Sequence, residues 1–394
     1  MLRTNVGSSV NADVRQAGAE AAAAAKSGLD GVKLAFVYSG VQYDQKLLLQ
    51  SVADELPGVP LIGNTSFTGV ITPEGYIGGD DGFVGVFALA GDELTVGVAG
   101  SAKEGDARTT GAKVAKAAIA AAGKPTEGKI APPDYFYMVA NPGEEEFFLK
   151  GVEDVIGRVP LFGGSAADNS IEGYWSLFTQ DLVTGDGVAV AFFWADEPGG
   201  FANLFTGAYN ETDNFGVITK VRDRRTLVEI DGVPAIEKYA AWRGLKTDDL
   251  LAGNLLAATI VAPLGVKDRL GELTAIRHPM FGNDDLSMNI GSNLAEKTTV
   301  IQMEGDVDQL IRSAGEQVGL LIKKLGKKPA GLHLVHCGGR RAAIADRIGE
   351  VYASVKTAAG DIPFIVEFTF GEYGYFDDGN NTTGGLMLSF TAFA

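Results

Sequence analysis

The sequence predicts an α/β protein in which repeated strand-helix-strand units form layered sheets, with an inserted β-rich segment. Three segments share one order of elements: a strand, a turn of small residues, an amphipathic helix and an apolar strand led by proline. Strands joined through helices need crossover connections, which predicts mostly parallel pairing with helices on the sheet faces. Antiparallel pairing stays open for the glycine-opened strand that closes each unit.

The three units are assigned to residues 1–92, 93–195 and 298–394. In the first, we expect strands at 2–6, 32–40, 59–65 and 82–87, with helices at 13–26 and 44–56. In the second, we expect strands at 93–98, 134–141, 159–165 and 187–193, with helices at 109–122 and 144–156. In the third, we expect strands at 298–303, 331–337, 362–365 and 385–390, with helices at 306–325 and 340–356.

Residues 196–297 break this order. They open at the turn-forming run 197–200, and the stretches 216–221 and 226–230 predict a β-hairpin followed by a helix near 235–239. We therefore expect two domains. Residues 1–200 hold two units, and residues 201–394 hold the β-rich insert, 201–297, and the third unit.

Composition restricts the partners and the compartment. The chain has 394 residues, a formal net charge of -17, 46% hydrophobic residues and a single cysteine. An acidic protein repels nucleic acid and anionic membrane, so neither is expected as a partner. A lone cysteine suits a reducing compartment, and we find no apolar signal core near the first residues, so a cytoplasmic location is expected.

Polar loops follow the carboxyl ends of the predicted strands. In parallel α/β layers ligands bind beyond these ends, and free backbone N–H groups there suit an anion or a carboxylate. The alternative is that the glycines only turn the chain. The candidate ligand-binding residues in these loops are Asn64, Thr65, Ser66, Gly163, Gly164, Ser165, Asp168, Asn169, Thr369, Glu372 and Asn381.

The cysteine, Cys337, stands before a predicted helix that starts with Arg340 and Arg341. A helix N-terminus and guanidinium groups lower a thiol pKa, so Cys337 is a candidate nucleophile or ligand contact. Either arginine is a candidate to bind a carboxylate or phosphate. The alternative for Cys337 is a small buried thiol at a tight turn. We expect the turn at Cys337 and the loop Thr369–Glu372 to face each other, with the insert as a cover.

The three histidines do not support a metal site. His336 points to the opposite strand face from Cys337, and His333 shares its face but lies about 13 Å away along an extended strand. Three scattered histidines and one cysteine form no metal-ligand pattern, so no metal is expected. Haem needs only one axial ligand, so it stays open as a cofactor.

These motifs together resemble the FIST family, in which FIST N and FIST C domains are paired in sensory proteins. Gly63 to Gly69 resembles the family's Gly-Cys-Ser-Thr-Ala-Gly-Glu loop, and Pro160 to Asp168 resembles its Pro-Φ-Φ-Gly-Gly-Ser-Ala-x-Asp motif. In the C-terminal half the matching stretches are 228–235, 263–265, 273–279, 337–340, 369–372 and 381–383.

The chain departs from the family pattern at three places. Asn64 stands where the first loop usually has cysteine, and Gly69 stands where it has glutamate. Val366 and Glu367 replace the Gly-Phe pair that usually precedes the Thr-Φ-Gly-Glu loop.

The resemblance implies a cytoplasmic sensory protein that binds a small polar metabolite, such as an amino acid, and acts through a separate signalling partner. Catalysis is not the favoured interpretation. Two alternatives are a hydrolase or isomerase with Cys337 as nucleophile and a haem-based nitric oxide sensor.

Overall fold

A computed structural model describes residues 2–195, 200–267, 274–376 and 380–394. Residues 197–199 of the predicted opening turn, and Leu273 of one family motif, lie outside the described residues. The mixed α/β class predicted from the sequence is confirmed.

The helices and strands follow the chain in three units and an insert. The first unit comprises β1 (Arg3–Ser9), α1 (Val14–Lys26), β2 (Val32–Ser39), α2 (Gln45–Glu55), β3 (Leu61–Thr65), β4 (Val70–Thr72), β5 (Gly75–Ile77) and β6 (Val84–Ala90). The second comprises β7 (Leu94–Ala102), α3 (Ala107–Ala121), β8 (Tyr135–Ala140), α4 (Glu145–Ile156), β9 (Leu161–Ser165), β10 (Leu177–Thr179), β11 (Leu182–Thr184) and β12 (Gly187–Ala195).

After β13 (Phe201–Thr206) the chain enters the insert. The insert comprises β14 (Asn210–Arg222), β15 (Thr226–Ile230), β16 (Val233–Pro234), α5 (Ala235–Arg243), α6 (Asn254–Thr259), β17 (Leu264–Lys267), β18 (Thr274–Arg277), β19 (Pro279–Gly282), β20 (Met288–Ile290) and β21 (Thr299–Glu304). The third unit comprises α7 (Val307–Leu325), β22 (Gly331–Cys337), α8 (Gly338–Ile344), α9 (Ile348–Ala359), β23 (Phe364–Thr369), β24 (Glu372–Tyr375), β25 (Asn381–Gly384) and β26 (Leu388–Phe393).

Aspartate side chains start most of the helices that cover the sheets. An aspartate accepts backbone N–H groups of the first turn and so satisfies donors that a helix leaves unpaired. These N-cap residues are Asp13 of α1, Asp44 of α2, Asp106 of α3 and Asp306 of α7. Helix α8 is instead capped by the Cys337 thiol, and α4 has no side-chain cap.

Three six-stranded sheets have the same arrangement of strands. In each of them the last two strands are a hairpin that belongs to another unit. Their strand orders are β1-β6-β2-β3-β10-β11, β7-β12-β8-β9-β24-β25 and β13-β26-β22-β23-β4-β5. The hairpin of the first unit therefore completes the third sheet, that of the second completes the first, and that of the third completes the second. Every unit is thereby bound to both others by backbone hydrogen bonds.

The prediction of mostly parallel pairing is wrong. Among the described strands, only β2 with β3, β8 with β9 and β22 with β23 pair in parallel. The glycine-opened strand of each unit lies between two strands and runs antiparallel to both, as β6 does between β1 and β2. The chain enters this strand from the exchanged hairpin and not from a crossover helix, which reverses its direction.

Two further expectations about the third unit are wrong. The strand predicted at 298–303 forms as β21, but it pairs with β14 and β17 of the insert sheet. In the third sheet, the edge position that β1 and β7 hold in the other two sheets is occupied by β13, which precedes the insert in the chain. The helix predicted at 340–356 is broken into α8 and α9 by a 3-10 turn, Ala345–Arg347, in which Ala345 has φ 48°.

The insert forms a separate antiparallel sheet in the order β18-β17-β21-β14-β15-β20-β19, with β16 paired to β15. The predicted hairpin of β14 and β15 and the helix after it, α5, are confirmed.

Burial explains the layers. The outer face of each six-stranded sheet packs against a helix pair: α1 with α2, α3 with α4, and α7 with α9. The inner faces of all three sheets meet in one aromatic core that includes Phe36, Phe87, Phe162 and Phe393. In the described part of the chain, no helix is long and apolar enough to cross a membrane.

Candidate functional site

The loops that lead from each parallel strand pair into its exchanged hairpin converge at one end of the three sheets. The connecting backbone hydrogen bonds are Phe67 N to Phe368 O (2.9 Å), Ala167 N to Thr65 O (2.9 Å) and Ser165 N to Gly371 O (2.8 Å). Three polar loops that are about 100 and 200 residues apart in sequence thus become one structure, at the carboxyl ends of the parallel strands.

A cavity of about 300 Å³ lies where these loops meet the insert. This volume falls at the lower end of the range for small-molecule sites. Its apolar walls come from the converging loops, from α8 and from the insert: Phe67, Ile171, Trp175, Ala342, Phe370, Leu256, Ile260, Met280 and Ile290. The polar side chains in the lining are Glu145, Arg225, His278 and Cys337.

Glu145, the first residue of α4, supplies the buried charge of the cavity wall. Its Oε2 accepts the backbone N–H of Gly143 at 2.6 Å and lies 3.1 Å from Nη2 of Arg225. The same nitrogen donates to Glu146 at 2.5 Å. Burial, followed by the charge of Glu146, raises the pKa of Glu145, while Arg225 opposes the shift. One guanidinium therefore joins two carboxylates of α4 to the insert.

His278 is neutral in this wall. Burial lowers its pKa to about 4, and its Nε2 lies 3.3 Å from the carbonyl oxygen of Leu256. The tautomer that carries the proton on Nε2 satisfies that carbonyl.

Cys337 is buried at the turn between β22 and α8, which favours the second of its two interpretations, a small buried thiol at a tight turn. Its Sγ accepts the backbone N–H groups of Gly339 (3.3 Å) and Leu386 (3.2 Å). Burial, and then the charge of Glu372, raises the pKa of the thiol well above its ordinary value. Arg340 interacts with the thiol electrostatically, but its guanidinium donates to other groups of the protein. Cys337 serves as the cap of α8 and as part of the cavity wall.

Arg340 and Arg341 lie outside the cavity lining. Arg340 is fully buried and donates to the carbonyl oxygen of Gly207 (2.6 Å), that of Leu310 (3.2 Å) and Oγ of Ser313 (2.6 Å). Arg341 donates to the carbonyl oxygen of Ala345 at 2.9 Å and contacts Tyr76, at 3.2 Å from its hydroxyl. These guanidinium groups join elements of the protein to one another.

Thr369 and Glu372 do lie beside the Cys337 turn, because β22 and β23 pair Cys337 with Thr369. Both side chains are buried and satisfied within the protein. Thr369 Oγ1 donates to Glu372 Oε1 at 2.9 Å, and the N–H of Met387 donates to Oε2 at 2.8 Å. Burial raises the pKa of Glu372 to about 8.

Asn64 lies in a polar cluster at the junction of the three sheets, away from the cavity lining. Its Nδ2 donates to Glu367 Oε2 at 3.0 Å, and its Oδ1 accepts from the Tyr137 hydroxyl at 3.0 Å. The Tyr38 hydroxyl lies 2.5 Å from Nε2 of His333. Asn64 and Glu367, two of the positions that depart from the family pattern, therefore contact each other.

The remaining loop residues hold the crossover loops together. Ser66 Oγ donates to Gly69 O at 2.7 Å, and Ser165 Oγ lies 2.6 Å from the Tyr373 hydroxyl. Thr65 Oγ1 accepts the N–H of Ser176 at 2.9 Å.

The two glycines of β9 allow close backbone approach. Gly163 has φ 144°, and a Cβ there would lie 1.9 Å from the Met138 carbonyl oxygen, which only glycine avoids. A Cβ on Gly164 would lie 2.6 Å from Thr369.

Asp168 shapes one wall of the cavity without contacting its interior. Its carboxylate accepts five successive backbone N–H groups, those of residues 170–174. This loop carries Ile171, which lines the cavity with φ 61°. Asn169 accepts the N–H of Thr68 at 2.8 Å, while Asn381 lies elsewhere and donates to Glu153 at 2.8 Å.

Cys337 is thus the one sequence-predicted residue in the described lining of this cavity. Sequence reasoning missed the Glu145–Arg225 pair and the aromatic walls. Phe67 and Phe370 lie in two of the loops that were selected as candidates, but only the polar residues and glycines of those loops were considered as ligand contacts. Glu145 follows the turn Asn141-Pro142-Gly143 at a strand end, and that position was the available signal.

The cavity does not fit haem. His278 is the described histidine that reaches it, and its Nε2 faces a protein carbonyl at 3.3 Å.

The layers and the cavity define an α/β protein with a cavity of small-molecule size. Sequence comparison then gives the family: a model of the FIST N domain matches residues 33–233, and a model of the FIST C domain matches residues 235–375. The chain belongs to the FIST family, whose domains are sensory domains that bind small ligands. The resemblance stated from the motifs is confirmed.

No curated protein matches the sequence. Among solved structures, a cyanuric acid hydrolase from A. caulinodans is 10% identical with a TM-score of 0.38, covering 100% of this chain and 99% of that one. A second cyanuric acid hydrolase structure is 10% identical with a TM-score of 0.34 and full coverage of both chains. PurLQS from Thermotoga maritima is 8% identical with a TM-score of 0.23, covering 100% of this chain and 72% of that one. At these scores the likenesses support no functional argument.

Proposed function

We propose that this protein is a cytoplasmic sensory protein that binds a small metabolite in the cavity between the crossover loops and the insert, and that it signals through a separate partner. The carrying observation is the cavity itself: about 300 Å³, walled by aromatic side chains, with one buried carboxylate. Its position favours sensing, because a ligand there touches loops that feed all three sheets together with the insert.

An enzyme that uses Cys337 is not favoured. A nucleophile needs a thiolate, and here burial and a neighbouring carboxylate both oppose ionisation. The histidines do not help, since His333 and His336 are fully buried and burial lowers the pKa of each to about 3.

A thermal-shift screen of amino acids, amines and related metabolites tests the proposal. A ligand present at 100 times its dissociation constant stabilises the folded state by about 2.7 kcal/mol, which is a measurable rise in melting temperature. Ala342→Phe places a ring in the cavity from an exposed position on α8, so it should abolish the shift. Ala353→Phe, at an exposed position on α9, is the matched control and should retain it.

The proposal fails if hits bind Ala342→Phe as tightly as the wild type, because the ligand would then occupy another place. A screen without any hit would equally argue against a small-molecule sensor.

A further inference from the structure

The inference concerns the chemical class of the ligand and rests on the proposed function. It starts from the unused oxygen of Glu145. This residue is 2% exposed and lines the cavity, and its Oε2 is occupied by Gly143 and Arg225. No other residue in the described chain donates a hydrogen bond to Oε1. A buried carboxylate oxygen without a donor is costly, which means that a ligand donor there would be favoured.

Most N–H groups of the guanidinium beside it are used within the protein. Arg225 Nε lies 3.3 Å from Asn293 Oδ1, Nη1 donates to the carbonyl oxygen of Gly291 at 3.0 Å, and Nη2 is shared by Glu145 and Glu146. Arg225 is thus bound to two carboxylates, of which Glu145 belongs to the described cavity lining.

Other charged or titratable groups lie near this pair. Arg277 interacts electrostatically with Glu146 and Arg225, but it is outside the cavity lining and its Nη1 donates to the carbonyl oxygens of Ile276 and Thr383. His278 is neutral, and Tyr373, which faces Glu145 from β24, stays protonated because burial raises its pKa.

Another part of the wall is aromatic. The ring centroid of Phe370 lies 5.7 Å from that of Phe67 and 6.2 Å from that of Trp175. Aromatic faces attract cations through their quadrupole, and they also accept an apolar body. A carboxylate and an aromatic wall around one small cavity are together suited to an organic cation.

We propose that the ligand is a protonated amine on an aromatic or branched apolar body, with its ammonium donating to Glu145 Oε1 and its body against Phe67, Trp175 and Phe370. A ligand that carries a carboxylate at this end would meet the carboxylate of Glu145 and a guanidinium whose N–H groups are mostly bound to the protein. The recognised group is therefore the ammonium.

Three probes of one shape test the proposal by calorimetry: 2-phenylethylamine, the neutral 2-phenylethanol and the anionic 3-phenylpropionate. We expect the amine to bind at least about tenfold more tightly than the alcohol, and the anion to bind most weakly. Glu145→Gln should reduce amine affinity to that of the alcohol and leave alcohol affinity unchanged. Glu153→Gln, on the same helix but outside the cavity lining, is the matched control.

The pH dependence gives a second readout. Protonation of Glu145 removes the charge that the ammonium needs, so amine affinity should fall as pH is lowered from 8 to 5, and it should not fall in Glu145→Gln. If the alcohol binds as tightly as the amine, or if Glu145→Gln binds the amine normally, the amine inference is overturned while the cavity remains a binding site. If none of the three binds, the inference is overturned as well, and the metabolite screen alone then decides the proposed function.

Discussion

Replacing Glu367 with glutamine should change how the stability of the fold depends on pH. Glu367 is fully buried at the junction of the three sheets, and burial raises its pKa from 4.5 to about 8, opposed by hydrogen bonds from Asn64, Tyr38 and Tyr137. The folded protein therefore retains a proton that the unfolded chain loses above pH 4.5. Below pH 4.5 the protonated carboxyl makes its full contribution to stability. That contribution is lost as pH rises towards 8, and above about pH 8 the titration of Glu367 no longer changes the stability.

The size of the effect follows from that interval. Each pH unit between the two pKa values costs at most about 1.4 kcal/mol, which gives an upper limit of about 5 kcal/mol by pH 8. Glutamine has the shape of the protonated acid and does not ionise. The free energy of unfolding of Glu367→Gln, relative to the wild type, should thus increase steadily from pH 5 to pH 8 and then level off.

Urea unfolding followed by tryptophan fluorescence at pH 5, 6.5, 8 and 9 measures this difference. Glu372, the other buried acid with a pKa of about 8, is present in both proteins and cancels. Glu316→Gln, at an exposed position on α7, is the control and should show no such trend. A stability difference between Glu367→Gln and the wild type that stays flat from pH 5 to pH 9 would refute the reasoning, because Glu367 would then be ionised in the fold.

Three further outcomes are expected. Arg340→Ala should lower the free energy of unfolding by about 3–5 kcal/mol, because it leaves the buried acceptors of this charged donor without a partner. Ser313→Ala should lower it by about 1–2 kcal/mol, and similar urea midpoints for the two variants would contradict this. Iodoacetamide should alkylate Cys337 far more slowly in the folded protein at pH 8 than in urea, and equal rates would mean an accessible thiolate. Asp168→Asn should cost about 2–4 kcal/mol and expose residues 170–174 to proteolysis, because an amide cannot accept all five N–H groups; an unchanged cleavage rate there would count against that role.

Local patterns predicted the elements and the family well. Helical apolar spacing, proline-led strands and turn residues act over a few residues, and they placed α1 to α4, α7 and the hairpin of β14 and β15 close to their observed bounds. The order of motifs along the chain identified the FIST family.

The predictions that the sequence did not support correctly depend on contacts between distant segments. No local signal shows that the hairpin of one unit pairs in the sheet of another, so the sequence left the direction of the glycine-opened strands open and wrongly favoured mostly parallel pairing. The replacement of the cysteine at Asn64 and of the Gly-Phe pair at Val366–Glu367 looked like separate departures from the family pattern. Their side chains are partners across the core, 3.0 Å apart, and a single sequence does not reveal this pairing.

The placement of the binding residues failed for a related reason. Arg340 and Glu372 have the chemistry of ligand contacts, but both are fully buried and bonded to the protein. Charged side chains are rarely buried unless they are paired, so the residue type alone suggested exposed ligand contacts. The partners that allow Arg340 and Glu372 to be buried are not visible in the sequence. The cavity arises only when three loops and the insert meet.

The exchange of hairpins also sets the order in which the chain can fold during its synthesis. Ile71 of β4 pairs with Val366 of β23, some 295 residues later. At 5–20 residues per second, a ribosome needs about 15–60 s to make that stretch. During this time the hairpin of β4 and β5 has no sheet to join, and the second sheet in turn waits for β24. The first unit is thus the earliest to be made and among the last to be completed, and its unpaired hairpin must avoid other strand edges until then.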